Sequence, residues 1–162
     1  MQIINCFELQ IHNSIMDLRA MSEWLGKVCT QLALNDSIVK DLDVCANEAV
    51  SNILFYAYQD HESHQINIRL ELKEQKLILT IQDDGIAFDP FDFKAIVSES
   101  YDKVGDLTIG GFGIKLIRSL ANECRYYRSN SKNIISLGFY LYQTSTASIP
   151  GVNSPFLTSF NY

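Results

Sequence analysis

Long apolar runs, basic clusters and paired cysteines are all missing from this sequence of 162 residues. No apolar stretch approaches the ~20 residues that a transmembrane helix needs, so we expect no membrane span. The opening residues IINCFELQ lack the basic start and long apolar core of a signal peptide, which predicts a cytoplasmic protein. With a net charge of -6 and no basic block, the chain is poorly suited to bind nucleic acid or an anionic membrane.

The cysteines do not occur in pairs. They lie far apart, at Cys6, Cys29, Cys45 and Cys124. No CxxC or Cys/His spacing indicates a zinc site or a redox pair. Cys29 and Cys45 fall on apolar helix faces, and we expect buried free thiols in a reducing compartment. The polar segment QDHESH carries His61 and His64 without ligand partners at metal spacing, so both are predicted to be exposed loop residues.

Hydrophobic residues make up 47% of the sequence, which is enough for one domain with a core. We expect that domain to span residues 1–142 and an extended tail without periodicity to follow over 143–162. Apolar periodicity predicts strands over 3–11, 66–72, 77–81, 124–128 and 134–142, and helices from Asn13 or Ser14 to about Leu32, over 41–58 (capped by Asn35, Asp36 or Ser37) and over 114–122. This order favours an α+β fold, a two-layer sandwich with helices on one face of a mixed, mostly antiparallel sheet.

The helix predicted over 41–58 carries an unusual polar pair. Glu48 and Asn52 lie four residues apart, hence on one face, and their neighbours on that flank are Cys45 and Phe55. A carboxylate and an amide on an apolar flank are costly unless they bind something. An ordinary solvated flank is the alternative that this segment alone leaves open.

A second polar element follows the strand predicted over 77–81. The residues QDDGIAFDP form a turn that presents carboxylate oxygens beyond the edge of the sheet. Asp83 is an acceptor suited to an exocyclic amine such as that of adenine, and Gly85 has no Cβ to keep a flat ring away. A plain Asp-Gly turn without function is the alternative.

The third element is the glycine-rich segment GGFG at 110–113, which leads directly into a helix. Backbone amides at a helix N-terminus bind phosphate without a net positive charge, which suits an acidic chain. The segment is not a P-loop, and it does not fit GxGxxG because Leu116 occupies the third glycine position. A flexible loop at a helix entry is the alternative.

Together, the three elements resemble the GHKL (Bergerat-fold) ATP-binding superfamily of gyrase, Hsp90, MutL and histidine kinases. The similarity is greatest to its anti-sigma-factor serine kinase branch and covers roughly residues 13–142. NEAVSNILFYAY resembles the N-box of that branch, DDGIAFDP its first glycine box and GGFGIKLIRSL its second.

The resemblance implies a role for each matching residue. Asn52 would supply an amide oxygen to Mg²⁺, and Glu48 would be the general base that deprotonates an incoming hydroxyl. Asp83 would read adenine, with Gly85 beside it.

Gly111, Phe112 and Gly113 match the segment that binds the ATP phosphates. Ala87 departs from the pattern, because many members of the superfamily carry a second glycine there, although the anti-sigma branch often has a small residue or proline. The segment between Pro90 and Gly110 resembles a compact ATP lid. Its apolar members are Phe91, Phe93 and Ile96.

The implied function is an ATP-dependent serine/threonine protein kinase that phosphorylates an anti-sigma-factor antagonist of the STAS type and acts as a switch by sequestering a partner such as a sigma factor. A homodimer is possible in such a branch. The alternatives are a nucleotide-gated binding module without phosphotransfer and a detached histidine-kinase catalytic domain. The last is disfavoured because no phosphoacceptor helix pair precedes the domain.

Overall fold

Apolar residues alternate along every strand, and this alternation sets the architecture of the chain. The computed structural model describes residues 5–92 and 111–141. The elements in chain order are β1 (Asn5–His12), α1 (Ile15–Gln31), α2 (Asp36–Tyr56), β2 (Gln65–Lys73), β3 (Lys76–Asp83), α3 (Gly111–Leu120), β4 (Glu123–Ser129) and β5 (Lys132–Tyr140).

The five described strands form one sheet in the order β1-β2-β3-β5-β4, and each described pair is antiparallel. One face of the sheet carries the buried strand residues, which form a single core with the apolar stripes of α1 and α2. The predicted α+β sandwich is therefore confirmed, although the described sheet is wholly antiparallel rather than mixed.

Helix α2 is central to this layer because it packs against α1, α3 and β3. It begins after Asn35, whose side chain accepts a hydrogen bond from the backbone N–H of Ile38 at 3.0 Å. Of the three caps that the sequence allowed, Asn35 is the one that the structure uses. Ser14 caps α1 in the same way.

The predicted hairpins are confirmed, with strands one or two residues longer at most ends than the periodicity indicated. Cys29 and Cys45 are buried free thiols, as expected. Within the two described ranges, no helix has the length and hydrophobicity of a membrane span. The tail over 143–162 and most of the predicted lid, including Phe93 and Ile96, lie outside the described residues.

Candidate functional site

Helix α2 presents the predicted polar pair on one flank. Glu48 and Asn52 are half-buried and lie one turn apart. Neither side chain makes a hydrogen bond or an ion pair to any residue that the structure describes. Two polar groups that are only partly solvated and lack internal partners are suited to contact a ligand.

Asp83 ends β3 and is 3% exposed. Its Oδ1 accepts hydrogen bonds from the backbone N–H of Gly85 and from Asn133 Nδ2, both at 2.8 Å. Oδ2 has no such partner among the described residues and stays available as an acceptor. Burial raises the pKa of Asp83, while these hydrogen bonds and the charge of Arg128 favour its ionised form.

Gly85 anchors the Asp83 turn to the C-terminal end of α2. A Cβ at this position would lie 2.5 Å from Ala57 Cβ and 2.6 Å from Ala57 O, a separation that no larger residue tolerates. The backbone N–H of Ile86 donates to Ala57 O at 2.9 Å. The glycine is therefore needed for close packing of the turn on α2, a reason that the sequence alone did not suggest.

The second glycine segment reaches the other end of the same flank. Gly111 begins α3 and Gly113 lies in its first turn, so the glycines belong to the helix instead of preceding it. A Cβ on Gly113 would overlap Glu48 Oε2 and lie 3.2 Å from Glu48 Cδ. The Glu48 carboxylate thus lies directly against the first turn of α3. Phe112 is 75% exposed there.

The structure therefore brings the three predicted elements together on α2. Gly113 contacts α2 at Glu48 and Gly85 contacts it at Ala57, ~13 Å further along the helix axis, with Asn52 between them. A nucleotide needs recognition of its base and of its phosphates at two separated points, and this flank offers both. The individual roles of these residues remain predictions.

Three other positions lie at the margin of this site, and the first two of them were named from the sequence. Ala87 is exposed just beyond the Asp83 turn. Phe91, at the start of the predicted lid, packs on the core, and its carbonyl accepts a hydrogen bond from the Arg118 guanidinium of α3. The entry to the segment is therefore fixed to α3. Lys115 is exposed on α3.

His64 does not behave as the sequence indicated. Its ring stacks on Tyr58 with 4.0 Å between centroids, and its side chain is only 21% exposed. Its Nε2 lies 2.8 Å from Asp60 Oδ1 and its Nδ1 lies 3.3 Å from Asp84 Oδ1. The prediction of a solvated loop histidine was wrong, because the partners come from separate segments. His61 is exposed as expected.

This contact makes stability depend on pH. The hydrogen bond that His64 donates to the Asp60 carboxylate is the main cause that raises the pKa of His64 in the folded chain, and Asp84 adds to it. A raised folded pKa contributes stability that is complete below the unfolded value of about 6.5 and is lost as the pH rises through the folded value. We expect the free energy of unfolding, measured in urea, to fall in the wild type as the pH rises above about 6.5. The fall should be absent in His64→Gln and preserved in His61→Gln.

Asn133 is the residue that the sequence reasoning missed. It is buried at an inward position of β5 and donates to Asp83 Oδ1. The polar residue at the start of the inward alternation Ile135, Leu137, Phe139 could have revealed it, because a buried amide must find partners. Arg128 Nη1 donates to the carbonyl of Gly85 at 3.1 Å and is also part of this turn.

The contact between Gly113 and Glu48 gives a prediction. Gly113→Ala should displace the Glu48 carboxylate, and if Glu48 is the predicted general base, a shift of about 1 Å can cost ~100-fold in rate. We therefore expect phosphoryl transfer to fall by about that factor, while the Kd for ATP changes by less than about threefold.

The control is Gly26→Ala on α1, where an added Cβ would contact nothing within 4 Å. That variant should keep wild-type transfer and gain about 0.5–1 kcal/mol in stability. If Gly113→Ala transferred phosphate at the same rate as Gly26→Ala, the close packing of Gly113 on Glu48 would not be needed for the transfer.

Comparison with known proteins places this geometry in a family. A family model described as the histidine kinase-like ATPase domain matches residues 11–139. The chain belongs to the histidine kinase-like ATPase domain family. The match begins in β1 and ends in β5, so it includes every element of the site.

Several curated proteins that the chain is similar to carry the name serine-protein kinase RsbW. The serine-protein kinase RsbW of Oceanobacillus iheyensis is 31% identical over 103 residues, which are 62% of this chain and 65% of that protein. RsbW of Bacillus velezensis is 28% identical over 120 residues, 72% of this chain and 74% of that protein. The chain thus spans about two thirds to three quarters of these relatives. The resemblance to the serine kinase branch is confirmed.

Solved structures agree on the fold of this histidine kinase-like ATPase domain. The RsbU and RsbW domains of a Mycobacterium tuberculosis protein superpose with a TM-score of 0.59 at 14% identity, over 85% of this chain and 32% of that one. A chain of the SiaB-SiaC complex of Pseudomonas aeruginosa superposes with a TM-score of 0.51 at 18% identity, over 84% of this chain and 89% of that one.

Proposed function

We propose that this chain binds ATP with Mg²⁺ on the α2 flank and transfers the γ-phosphoryl group to a serine or threonine hydroxyl of an antagonist protein. The observation that carries the proposal is the convergence on α2. The Asp83 turn packs at Ala57, the first turn of α3 packs at Glu48, and Asn52, which makes no hydrogen bond to the residues that the structure describes, lies between them. A family match over residues 11–139 supports nucleotide binding by this arrangement.

The adenine end of the site is assigned to Asp83. Its Oδ2 accepts no hydrogen bond from any described residue, and Asp83 lies at the end of a strand next to the backbone of Gly85. Adenine offers an exocyclic amine that donates hydrogen bonds, so the two groups are complementary. Hydrogen bonds to a charged acceptor are among the stronger ones in proteins.

The phosphate end lies between Asn52, Glu48 and the first turn of α3. The chemistry of Asn52 fits Mg²⁺, because its amide oxygen is a hard ligand and makes no hydrogen bond within the described ranges. Mg²⁺, when bound, would offset the negative charge of the β- and γ-phosphates. The first turn of α3 lies against Glu48, and amide groups at a helix N-terminus suit an anion.

Glu48 is assigned as the general base. The hydroxyl proton of the acceptor passes to its carboxylate, the hydroxyl oxygen forms a bond to the γ-phosphorus, and the bond from that phosphorus to the β,γ-bridging oxygen breaks to release ADP. Glu48 makes no hydrogen bond in the described part of the chain, so its carboxylate is available to accept a proton.

The proposed partner follows from the relatives. The sequences similar to this chain include proteins named serine-protein kinase RsbW. The structural neighbours include a chain with RsbU and RsbW domains and a SiaB-SiaC complex. We therefore propose a STAS-type antagonist as acceptor and a sigma factor as the sequestered partner, in the cytoplasm. A homodimer remains part of the hypothesis.

The test uses the purified chain and the antagonist that it captures from its native extract in the presence of Mg-ATP. Incubation with ATP labelled at the γ-phosphate should label the antagonist on one hydroxyl residue, and replacement of that residue by alanine should abolish the label. If the chain bound ATP and captured the antagonist but left it unlabelled, the chain would be a nucleotide-gated binding module and not a kinase. A chain that fails to bind ATP would contradict the proposal.

A further inference from the structure

Asn133 forms a saturated hydrogen-bond hub behind the Asp83 turn. Its Nδ2 donates to Asp83 Oδ1 at 2.8 Å and to the carbonyl of Ile86 at 2.9 Å. Its Oδ1 accepts from Tyr126 Oη at 2.9 Å and from Arg128 Nη1 at 2.5 Å. The residue is 5% exposed, and its two N–H donors and two lone pairs are all engaged.

Arg128 determines which way this amide points. A guanidinium group donates and cannot accept, so Arg128 must face the amide oxygen of Asn133. The amide nitrogen then has to face Asp83 and Ile86, both of which present acceptors. A hydroxyl such as that of Tyr126 would tolerate either orientation, and it therefore does not decide the matter.

The strand pairings hold these groups in place. The β4–β5 hairpin turns at Asn130 and Ser131, both with positive φ, as in a two-residue turn of the type that suits the twist of a hairpin. This turn pairs Arg128 with Asn133, and the β3–β5 pairing places Asn133 opposite Asp83. The hub therefore rests on regular sheet structure and not on a loop.

We propose that Asn133, oriented by Arg128, is the positioning residue that makes Asp83 select adenine over guanine, an inference that rests on the proposed nucleotide site. Two donors occupy Asp83 Oδ1, and Oδ2, which accepts no hydrogen bond from the described residues, is the oxygen left to accept one from a ligand. Adenine presents an amine at this edge, whereas guanine presents a carbonyl, which would face the carboxylate as acceptor against acceptor. A site built around one hydrogen bond discriminates strongly against the analogue that lacks it.

The surrounding charges point the same way. Burial raises the pKa of Asp83, and the bonds from Asn133 and Gly85 and the charge of Arg128 oppose that rise. Two other titratable groups face Asp83, namely Asp84 and Tyr58, and the charge of Asp84 raises the pKa of Asp83 further. His64 contacts Asp84. Loss of the Asn133 donor would raise the pKa of Asp83 further. As the pH is lowered, ATP binding would then be lost at a higher pH than in the wild type.

The experiment measures the Kd values for ATP and GTP between pH 5.5 and 8.5 in the full chain. We expect the wild type to prefer ATP by at least ~100-fold. Asn133→Ala should lose about tenfold of that preference, as should Arg128→Met, and the acid limb of ATP binding should move to higher pH in both variants. Arg128→Lys keeps a donor and should recover most of the preference. Arg125→Met, which removes an exposed arginine of the same strand, is the matched control and should match the wild type.

The outcomes separate this inference from the proposed function. A wild type that binds no nucleotide overturns both. A selective wild type whose Asn133→Ala and Arg128→Met variants keep the same preference and the same acid limb overturns the inference alone. Equal weakening of ATP and GTP in the variants, with an unmoved acid limb, also overturns it, because that pattern belongs to a merely structural role. Arg128 is exposed, and so its variants keep the test valid if Asn133→Ala does not fold.

Discussion

Glu48→Gln is expected to bind Mg-ATP with the wild-type Kd and to lose phosphoryl transfer by ~10²–10⁴-fold, the usual range for removal of a general base. Glutamine has the shape of glutamate, so it keeps the contact with Gly113 but cannot take a proton. Glu48→Ala should show the same separation of binding from transfer. The measurement is single-turnover transfer to the antagonist, alongside a direct titration of ATP.

The matched control is Asp41→Asn, because Asp41 lies two turns earlier on the same helix and is also half-buried. Its transfer rate should equal that of the wild type. Transfer at the wild-type rate by Glu48→Gln would show that the base assignment is wrong. Weaker ATP binding with unchanged transfer at saturation would instead give Glu48 a binding role.

Asp83→Asn is expected to abolish most nucleotide affinity. The asparagine oxygen can still accept the hydrogen bonds from Gly85 and Asn133, so the turn should persist. Its amide nitrogen would replace Oδ2 and would place a donor against the donor of adenine. Loss of a hydrogen bond to a charged group costs roughly 1.5–3 kcal/mol, which corresponds to about 10–100-fold in Kd, and the opposed donors add to that.

Asp84→Asn provides the control for this change. Asp84 is the adjacent carboxylate, but it is exposed and contacts His64. Its ATP affinity should stay within about threefold of the wild type, since a solvated neighbouring charge contributes little. If Asp83→Asn and Asp84→Asn bound ATP with equal affinity, the assignment of the adenine contact to Asp83 would be refuted.

The parts of the site that sequence could predict are those encoded in one continuous segment. Glu48 and Asn52 share one helix, and their spacing alone puts them on one face. Asp83 and Gly85 share one turn at the end of a strand whose alternation is regular. Local periodicity and turn chemistry determine such features.

The features that the sequence did not predict depend on contacts between distant segments. Glycine disfavours helix, so the GGFG segment was expected to precede α3, yet Gly111 and Gly113 lie within its first turn against Glu48. His64 is partly covered by Tyr58, just beyond α2, and contacts Asp84, just beyond β3. In each case tertiary packing outweighs the local preference.

Asn133 illustrates the same limit for function. An asparagine in a β-strand can serve many purposes, so the sequence alone does not identify the role of Asn133. Only the β3–β5 register shows that it lies opposite Asp83. The register depends on the whole sheet, which no local pattern specifies. A buried amide at an inward position is nevertheless a signal that can be sought in related chains.

The most direct test of the account is an NMR titration of the ¹⁵N-labelled wild-type chain with Mg-ATP. If one adenine nucleotide binds on the α2 flank, saturable shifts should concentrate in the amides of three segments: Glu48 to Ala57, Asp83 to Ala87, and the first turn of α3. The signals of amides in the middle of β1, an edge strand separated from β3 by β2, should not shift. Saturable shifts confined to other segments, or no shifts at millimolar Mg-ATP, would contradict the convergence of these three elements into one nucleotide site.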